Sequence, residues 1–516
     1  MWLDRGLDPN VGLTPRSILE APQWPPSTQA VRLGGVQRPY EEEWTMTSAE
    51  IPPAAVPSLE TDATELAARV TGSVLLPNNP GYAAECAAFN LLAPVQPALV
   101  VGAAGVADVQ AAVQFAADRG LPVAVLTTGH QVARPADGAV LITLSRMARV
   151  TIDADAATAR VEGGVQWQEV LDKALKFGLA PASGSSSTVG VIGYHLGGGQ
   201  SPVLGRAYGF AADHVLAAEL VTADGQSRRV TQDTDSELFW ALRGGKGNFG
   251  VVTALEFRLF PVARFYGGGL FFPGEAAASV LHEWRRWAPT LPEEATTSLS
   301  FLRLPPMPEL PPPLQGTFVI HLRFSSLGDA EDAERLLAPM RAVAPTVLDT
   351  IAELPYAAVA AVHMDPVTPV PWVDRSTALR DFPAEAADAL LRLVGPDSGT
   401  QLTVVEIRSF GGALARPPAV PNAVAGRDVP WAVLGFGVGG PDQQARNIEQ
   451  LAQVMTALAP WAHDEAMTNF LTAGEGTTPQ QMRSIYGSDR YDRLVAVKRR
   501  YDPSNMFQVN HNINPA

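Results

Sequence analysis

The run Ser183-Gly-Ser-Ser-Ser-Thr-Val-Gly-Val-Ile-Gly-Tyr-His-Leu-Gly-Gly-Gly199 constrains this chain more than any other stretch. So few large side chains leave too little to pack for an ordinary core strand or helix. The run instead exposes many backbone donors and admits a flat ligand close to the chain. A flexible linker would share the glycine and serine content, but Thr188, Val189, Val191, Ile192 and Leu196 are out of place in a solvated one. A ligand cradle is therefore the expectation.

The rest of the chain must supply the cores that such a cradle rests on. At 516 residues, two or more domains are expected. Hydrophobic residues at 46% and charged residues at 18% are the mixture of a globular enzyme. The net charge of −15 works against binding a phosphate backbone, which excludes nucleic acid as a natural partner. A single cysteine, Cys86, allows no internal disulfide and suggests no metal cluster, and its setting predicts a buried, inert thiol. No basic region followed by an apolar run opens the sequence, and no apolar segment is long enough to span a bilayer. A soluble, cytoplasmic protein is the expectation.

Residues 1–64 form a proline-rich extension without sustained periodicity. Strand-like runs at Pro97–Val101, Leu121–Leu126 and Val140–Leu144 then alternate with a helical pattern over Val106–Gly120. Further strands near Ala159–Gly163 and Glu219–Gly225 extend this α+β unit over residues 65–262. Residues 263–461 change texture. Apolar strands at Gly316–Arg323, Leu402–Arg408 and Trp431–Phe436 alternate with amphipathic helices, which predicts an antiparallel sheet covered by helices on one face. Residues 462–516 close the chain with a helix over Asp489–Tyr501, stopped at Asp502-Pro503.

Three more clusters carry chemistry. The turn Leu126-Thr-Thr-Gly-His-Gln131 leaves a strand with successive N–H groups that suit a pyrophosphate. Asp235–Thr253 reads as a helix, a glycine-rich turn (Arg243-Gly-Gly-Lys-Gly-Asn-Phe-Gly250) and a strand. The terminus Tyr501-Asp-Pro503 to Asn510-His-Asn-Ile513 packs asparagines among anchoring apolar residues.

Together with Pro77-Asn-Asn-Pro-Gly-Tyr82, these motifs resemble, in order, the berberine-bridge-enzyme-like branch of the vanillyl-alcohol-oxidase family of FAD enzymes. The resemblance spans about Glu65 to the end. It implies a two-domain α+β fold in which residues 65–262 and 462–516 hold FAD and residues 263–461 roof the isoalloxazine over the substrate. It also implies that His130 bonds the flavin, that residues 126–131 face the pyrophosphate, and that Gly250, Val251 and Val252 line the adenine. Ser185, Ser186, Thr188, Val189, Gly190, Gly193, Tyr194, Gly197, Gly198, Asn510 and Asn512 complete the cofactor set that the resemblance carries over.

Departures from the family pattern are informative. Where many relatives place a second flavin-linking cysteine, this chain has Ser186, so attachment through His130 alone is expected. Val189 matches a small-residue gate that in relatives leaves room for oxygen, which favours an oxidase. Met467 replaces a tyrosine that often precedes Asn469-Phe470, and Gly426-Arg427 replaces a His-Arg pair. Tyr194, His195, Glu406, Arg408 and Asn469 remain as candidate catalytic groups, and strand periodicity puts Glu406 and Arg408 on one face. An apolar roof of Phe410, Trp431 and Phe436 suggests a hydrophobic secondary metabolite as substrate, with oxygen as second partner and hydrogen peroxide as product. A flavin-dependent oxygenase and a flavin-binding protein without turnover are the alternatives.

Overall fold

The computed structural model describes residues 56–93 and 95–516. The proline-rich extension thus lies almost entirely outside the described residues. Three sheets organise the rest.

The first is built from β1 (Ser73–Leu75), β2 (Leu99–Gly102), β3 (Val123–Leu126) and β4 (Val140–Thr143), in the order β1-β2-β4-β3. β4 runs parallel to both β2 and β3, and every residue of β2 and β4 is buried. This is why those strands read as unbroken apolar runs rather than alternating ones. The second sheet takes β5 (Val150–Asp153), β6 (Thr158–Glu162), β7 (Val215–Val221), β8 (Ser227–Val230) and β9 (Val251–Arg258), in the antiparallel order β5-β6-β9-β7-β8. The terminal helix Ser488–Tyr501 packs Tyr491 and Leu494 into the same core as Leu238 and Phe239 of the helix Ser236–Leu242. Met506 and Phe507 continue into the core of the first sheet, where the Val123 N–H donates to the Met506 carbonyl.

The third sheet has eight strands: β10 (Arg264–Pro273), β11 (Ala295–Arg303), β12 (Phe318–Ser326), β13 (Leu348–Asp349), β14 (Ala352–Pro355), β15 (Trp372–Leu379), β16 (Val404–Ser409) and β17 (Trp431–Val438). Its central order is β10-β12-β11-β16-β17-β15, antiparallel throughout. Leu299, Phe301, Ile320, Leu322, Val405, Ile407 and Val433 point to one face, where they form a core with the helices Ala277–Trp287, Ala384–Val394 and Pro441–Leu458. Alternation sends the intervening residues to the other face. In register these are Ser298 with Arg323 and Arg408, Ser300 with His321 and Glu406, and Leu434 with Glu406 and Ser376. The face away from the helices is therefore largely polar.

This corrects the expectation of an apolar roof. Trp431 points to the helix side, where it packs edge-on to Trp284 and beside Phe382, and Phe410 is buried in a separate small core. Of the three residues named from sequence, only Phe436 faces the cavity described below. The run 183–199 also contains a short helix that its composition does not announce, Val191–Leu196, formed because Val191, Ile192 and Leu196 find a common core.

Candidate active site

A cavity of about 480 Å³ lies between the loop that leaves β3, the 184–196 run, the turn before β9, the terminal segment and the polar face of the third sheet. It gathers residues from the four chemistry-bearing clusters of the sequence, whereas residues 77–82 contribute none to its lining. Leu126, Thr127, Thr128, Gly129, His130, Gln131, Ser185, Ser186, Val189, Gly190, Gly193, Tyr194, Gly250, Val252 and Asn510 line it, as do Arg408 and Asn469.

The β3 loop is shaped by Gly129. Its φ of +67° is left-handed, and a Cβ there would sit 2.6 Å from the Ala88 Cα. That close approach lets the Phe89 N–H donate to the Thr128 carbonyl (3.0 Å) and stacks the Phe89 ring on His130, with centroids 3.9 Å apart and planes 17° off parallel. Thr128 Oγ1 lies 3.0 Å from His130 Nδ1, and Thr188 Oγ1 lies 3.2 Å from Nε2 and 3.0 Å from Ser186 Oγ. Burial lowers the His130 pKa to about 4, so its imidazole is neutral at physiological pH.

Of the cations that line the cavity, Lys246 and Arg134 flank the β3 loop without a carboxylate partner among the described residues. Lys246, held at a φ of +57°, donates to Gln131 Oε1 (3.0 Å) and the Thr468 carbonyl (2.9 Å), and lies 3.3 Å from His511 Nδ1. Arg134 reaches the carbonyls of Ala133, Ala473, Glu475 and Gly476. Neither forms an ion pair among the described residues. Burial brings Lys246 down to about 7 and also lowers Arg134. Sequence reasoning missed both; the one available signal was a lysine set among the glycines of residues 243–250.

This donor set fits FAD. Uncompensated cations flanking a turn rich in backbone N–H groups suit a pyrophosphate. Gly193 leaves open space where a Cβ would project, so a flat ring can approach the backbone there.

Other candidates from sequence fall elsewhere. Thr188 touches His130 but does not line the cavity. Gly197 packs against Asn469 and Gly198 against Val424, because each needs the space a side chain would fill. Val251 is buried in the core of the first sheet, as strand alternation with the cavity-lining Val252 requires. Asn512 also stands outside the lining. His195 is a core residue packed by Trp167 and Phe257, with Nδ1 on the Val191 carbonyl. Met467 is buried, and Arg427 pairs with Asp213.

Glu406 does share a face with Arg408, as expected, but stands behind it. Arg323 (2.8 Å), Arg408 (3.0 Å) and His363 (3.4 Å) surround its carboxylate. Burial alone would raise the Glu406 pKa, but Arg408 and Arg323 hold it well below the usual range. Arg408 also donates to Gln200 (3.0 Å). Asn469 clamps the cradle, accepting from the Gly199 N–H (2.6 Å) and donating to the Tyr194 carbonyl (3.1 Å). The Tyr194 hydroxyl is buried without a partner, and burial raises its pKa well above the usual range. Trp372, Asp374, Arg375, Ser376 and Phe470 complete the wall facing His130.

A cleft lined by glycine-rich turns, unpaired cations and a buried histidine, set under a polar sheet, suits an FAD-dependent oxidoreductase. Comparison with known proteins agrees. Residues 97–231 match the family described as FAD binding domain, and residues 468–514 that described as Berberine and berberine like. The chain is 30% identical to (R)-6-hydroxynicotine oxidase of Paenarthrobacter nicotinovorans over 466 residues, 86% of this chain and 97% of that protein. Crystalline 6-hydroxy-D-nicotine oxidase from Arthrobacter nicotinovorans superimposes with a TM-score of 0.73 at 26% identity, covering 87% of this chain and 98% of the other. Physcomitrella patens BBE-like 1 shares the fold at 19% identity, with a TM-score of 0.73 over 86% of this chain and 97% of the other. The chain belongs to the berberine-bridge-enzyme-like family of FAD-linked oxidoreductases.

Proposed function

We propose that this protein is an oxidase that carries FAD covalently on His130 and oxidises a small organic substrate at the expense of oxygen. The observation that carries the reading is the neutral His130 imidazole, stacked on Phe89 and lining a cavity where Lys246 and Arg134 have no carboxylate partner among the described residues. When bound, the flavin supplies a hydride acceptor and passes two electrons to oxygen, giving hydrogen peroxide. The loop 126–131, Lys246 and Arg134 would hold its phosphates. Ser185, Ser186, Val189 and Gly193 would bound the ring, and the wall from Trp372 to Ser376 with Arg408 would face the substrate.

Val189, small and half-buried on the cavity wall, supports oxidase over dehydrogenase behaviour. The polar face of the third sheet supports a substrate with hydrogen-bonding groups rather than a purely apolar one. No helix among the described residues is long and apolar enough to cross a membrane.

The test is direct. Purified protein precipitated in acid should stay yellow, its intact mass should exceed the chain's by one FAD, and substrate-dependent oxygen uptake should match peroxide release. (R)-6-hydroxynicotine is the first probe, followed by other amines and alcohols. Isotopic oxygen in the product with little peroxide would instead identify an oxygenase. Colourless protein of chain mass alone would refute the attachment.

A further inference from the structure

The family-wide motifs leave one cavity-wall group unexplained. Asp374 is the only carboxylate among the residues that line the cavity. It lies on β15 opposite Phe436, and Ser376 lies opposite Leu434; both partners line the cavity, so strand pairing turns Asp374 and Ser376 to the same side. Glu406, the acid that strand periodicity picks out, is enclosed by Arg323, Arg408 and His363 and does not reach the lining. Asp374 has no ion-pair partner among the described residues; the Trp372 side chain hydrogen-bonds to it. The charged groups nearest it are Arg375 on its own strand and Glu475 on the loop beyond, while Arg134, Lys246, Arg408 and His130 share the cavity wall.

We propose that Asp374 is the proton acceptor of the oxidation, and that the substrate is an alcohol or amine bearing an O–H or N–H on the carbon that is oxidised. This rests on the flavin reading above. The substrate's C–H bond breaks with its electron pair going to the flavin as hydride, and the O–H or N–H proton passes to the Asp374 carboxylate. The electron pair of that O–H or N–H bond then closes the C=O or C=N double bond. Two electrons leave the substrate and two reach the flavin, so the step balances. The proton returns to water past residues 372–377, which are only half-buried.

Burial and the neighbouring Glu475 raise the Asp374 pKa to about 6, opposed by Trp372 and Arg375. A carboxyl poised there is ionised at neutral pH yet basic enough to accept a proton. A raised carboxyl is protonated in acid and ionised above its own pKa, so base-assisted turnover appears as pH rises through about 6.

The test uses the holoprotein, after acid-stable colour has shown that flavin is attached; lack of colour would sink the flavin reading rather than this one. Sulfite, which adds to the flavin ring as an anion, is the probe. An ionised Asp374 across the cavity should weaken sulfite binding, and Asp374→Asn should relieve this. Sulfite should bind Asp374→Asn about tenfold more tightly than wild type above about pH 7 and equally below about pH 5. Asp374→Glu should restore the wild-type pH dependence, and Asp374→Ser serves if the asparagine variant fails to fold. A wild-type-to-variant affinity ratio that stays constant across this pH range overturns the proposal. Among alcohols and amines that bleach the flavin without oxygen, Asp374→Asn should slow bleaching by roughly 100-fold; unaltered bleaching by such a compound overturns it equally.

Discussion

The Thr188 hydroxyl lies 3.2 Å from His130 Nε2, although the two residues stand 58 positions apart in the chain. On the other side of the ring, Thr128 Oγ1 meets Nδ1 at 3.0 Å. A neutral imidazole has one N–H and one lone pair, and two hydroxyls that can each donate or accept hold its plane in either tautomer. Attachment of a flavin needs the lone pair aimed into the cavity. Thr188→Val keeps the side-chain shape and removes the outer hydroxyl. Flavin incorporation into apoprotein should then slow by about 5- to 30-fold, the equivalent of about 1–2 kcal/mol. His130→Ala should show no acid-stable colour at all. Intact-mass spectra taken over time after adding FAD measure both.

Acid should destabilise the fold through its buried imidazoles. Burial lowers His130 and His195 to about 4 and also lowers His363, His321 and His511. Below the ordinary histidine pKa of about 6.5 the unfolded chain binds protons that the folded one refuses, so stability falls with pH until the folded pKa is reached. For the fully buried His195, the drop between about pH 6.5 and 4 is on the order of 3 kcal/mol. Asp374, raised to about 6, acts in the opposite sense but is a single group. Melting temperature should therefore decline steadily from pH 7 to 4, and His195→Gln should flatten that decline if the variant folds. An acid-insensitive melting curve would contradict the burial of these rings.

Which features were legible in sequence follows from their physics. The parallel strands β2 and β4 and the helix between them declared themselves by continuous and helical apolar periods. Gly129 could be found because a tight turn demands a particular residue, whereas His130 is singled out only by the resemblance to the family. Glu406 and Arg408 share a face as alternation requires, but no period tells which of them is enclosed by Arg323, a residue on another strand. Trp431 looked like roof because its strand is apolar on both faces; only the pairing with Ser409 and Leu379 shows which side it takes. Asp374 gave no local pattern and Lys246 only its place among glycines, since their importance lies in the charges that surround the cavity.

Lys246 occupies a left-handed backbone position and spends all three of its donors on Gln131, Thr468 and His511. Such a cation, buried without a carboxylate, is stabilised by an anion in the cavity. In a His130→Ala background, where FAD is held without a covalent bond, Lys246→Met should weaken FAD binding by about 10- to 100-fold, the scale of a hydrogen bond to a charged group. Riboflavin, which lacks phosphates, should lose much less. Equal losses for both ligands, read by fluorescence quenching, would show that Lys246 serves the ring or the fold instead.

The terminal segment is tied to the glycine-rich turn by a fully buried pair. Lys498 Nζ donates to Asp502 Oδ2 (2.7 Å), to the Asn248 carbonyl (2.8 Å) and to the Phe507 carbonyl (3.1 Å). Asp502 in turn accepts from the N–H groups of Met506 (2.7 Å) and Phe507 (2.8 Å). Removing one partner strands the other in a dry core, which costs about 3–5 kcal/mol. Asp502→Ala should lower stability by that amount in denaturant titrations, and the flavin cavity should loosen with it, because Asn510 and His511 lie just beyond. A change below about 1 kcal/mol would mean that solvent reaches the pair.

Ser186 offers the last prediction, because its hydroxyl sits 3.0 Å from Thr188 Oγ1 on the cavity wall, one residue's reach from the His130 side of the site. Relatives of this family often carry a flavin-bonding cysteine at that position. A serine hydroxyl is too weak an acid to supply the anion such a bond requires, whereas a thiol ionises near pH 8.5. Wild-type protein should therefore carry its flavin through one bond only. Ser186→Cys should add a second bond in at least part of the population. In a Ser186→Cys, His130→Ala double variant, acid-stable colour should persist through the cysteine alone. Peptide mapping would then find flavin on the fragment containing residue 186. Flavin lost completely on acid treatment of that double variant would mean that the 184–189 wall stands too far from the ring to reach it, and the placement of Ser186 beside the flavin would have to be abandoned.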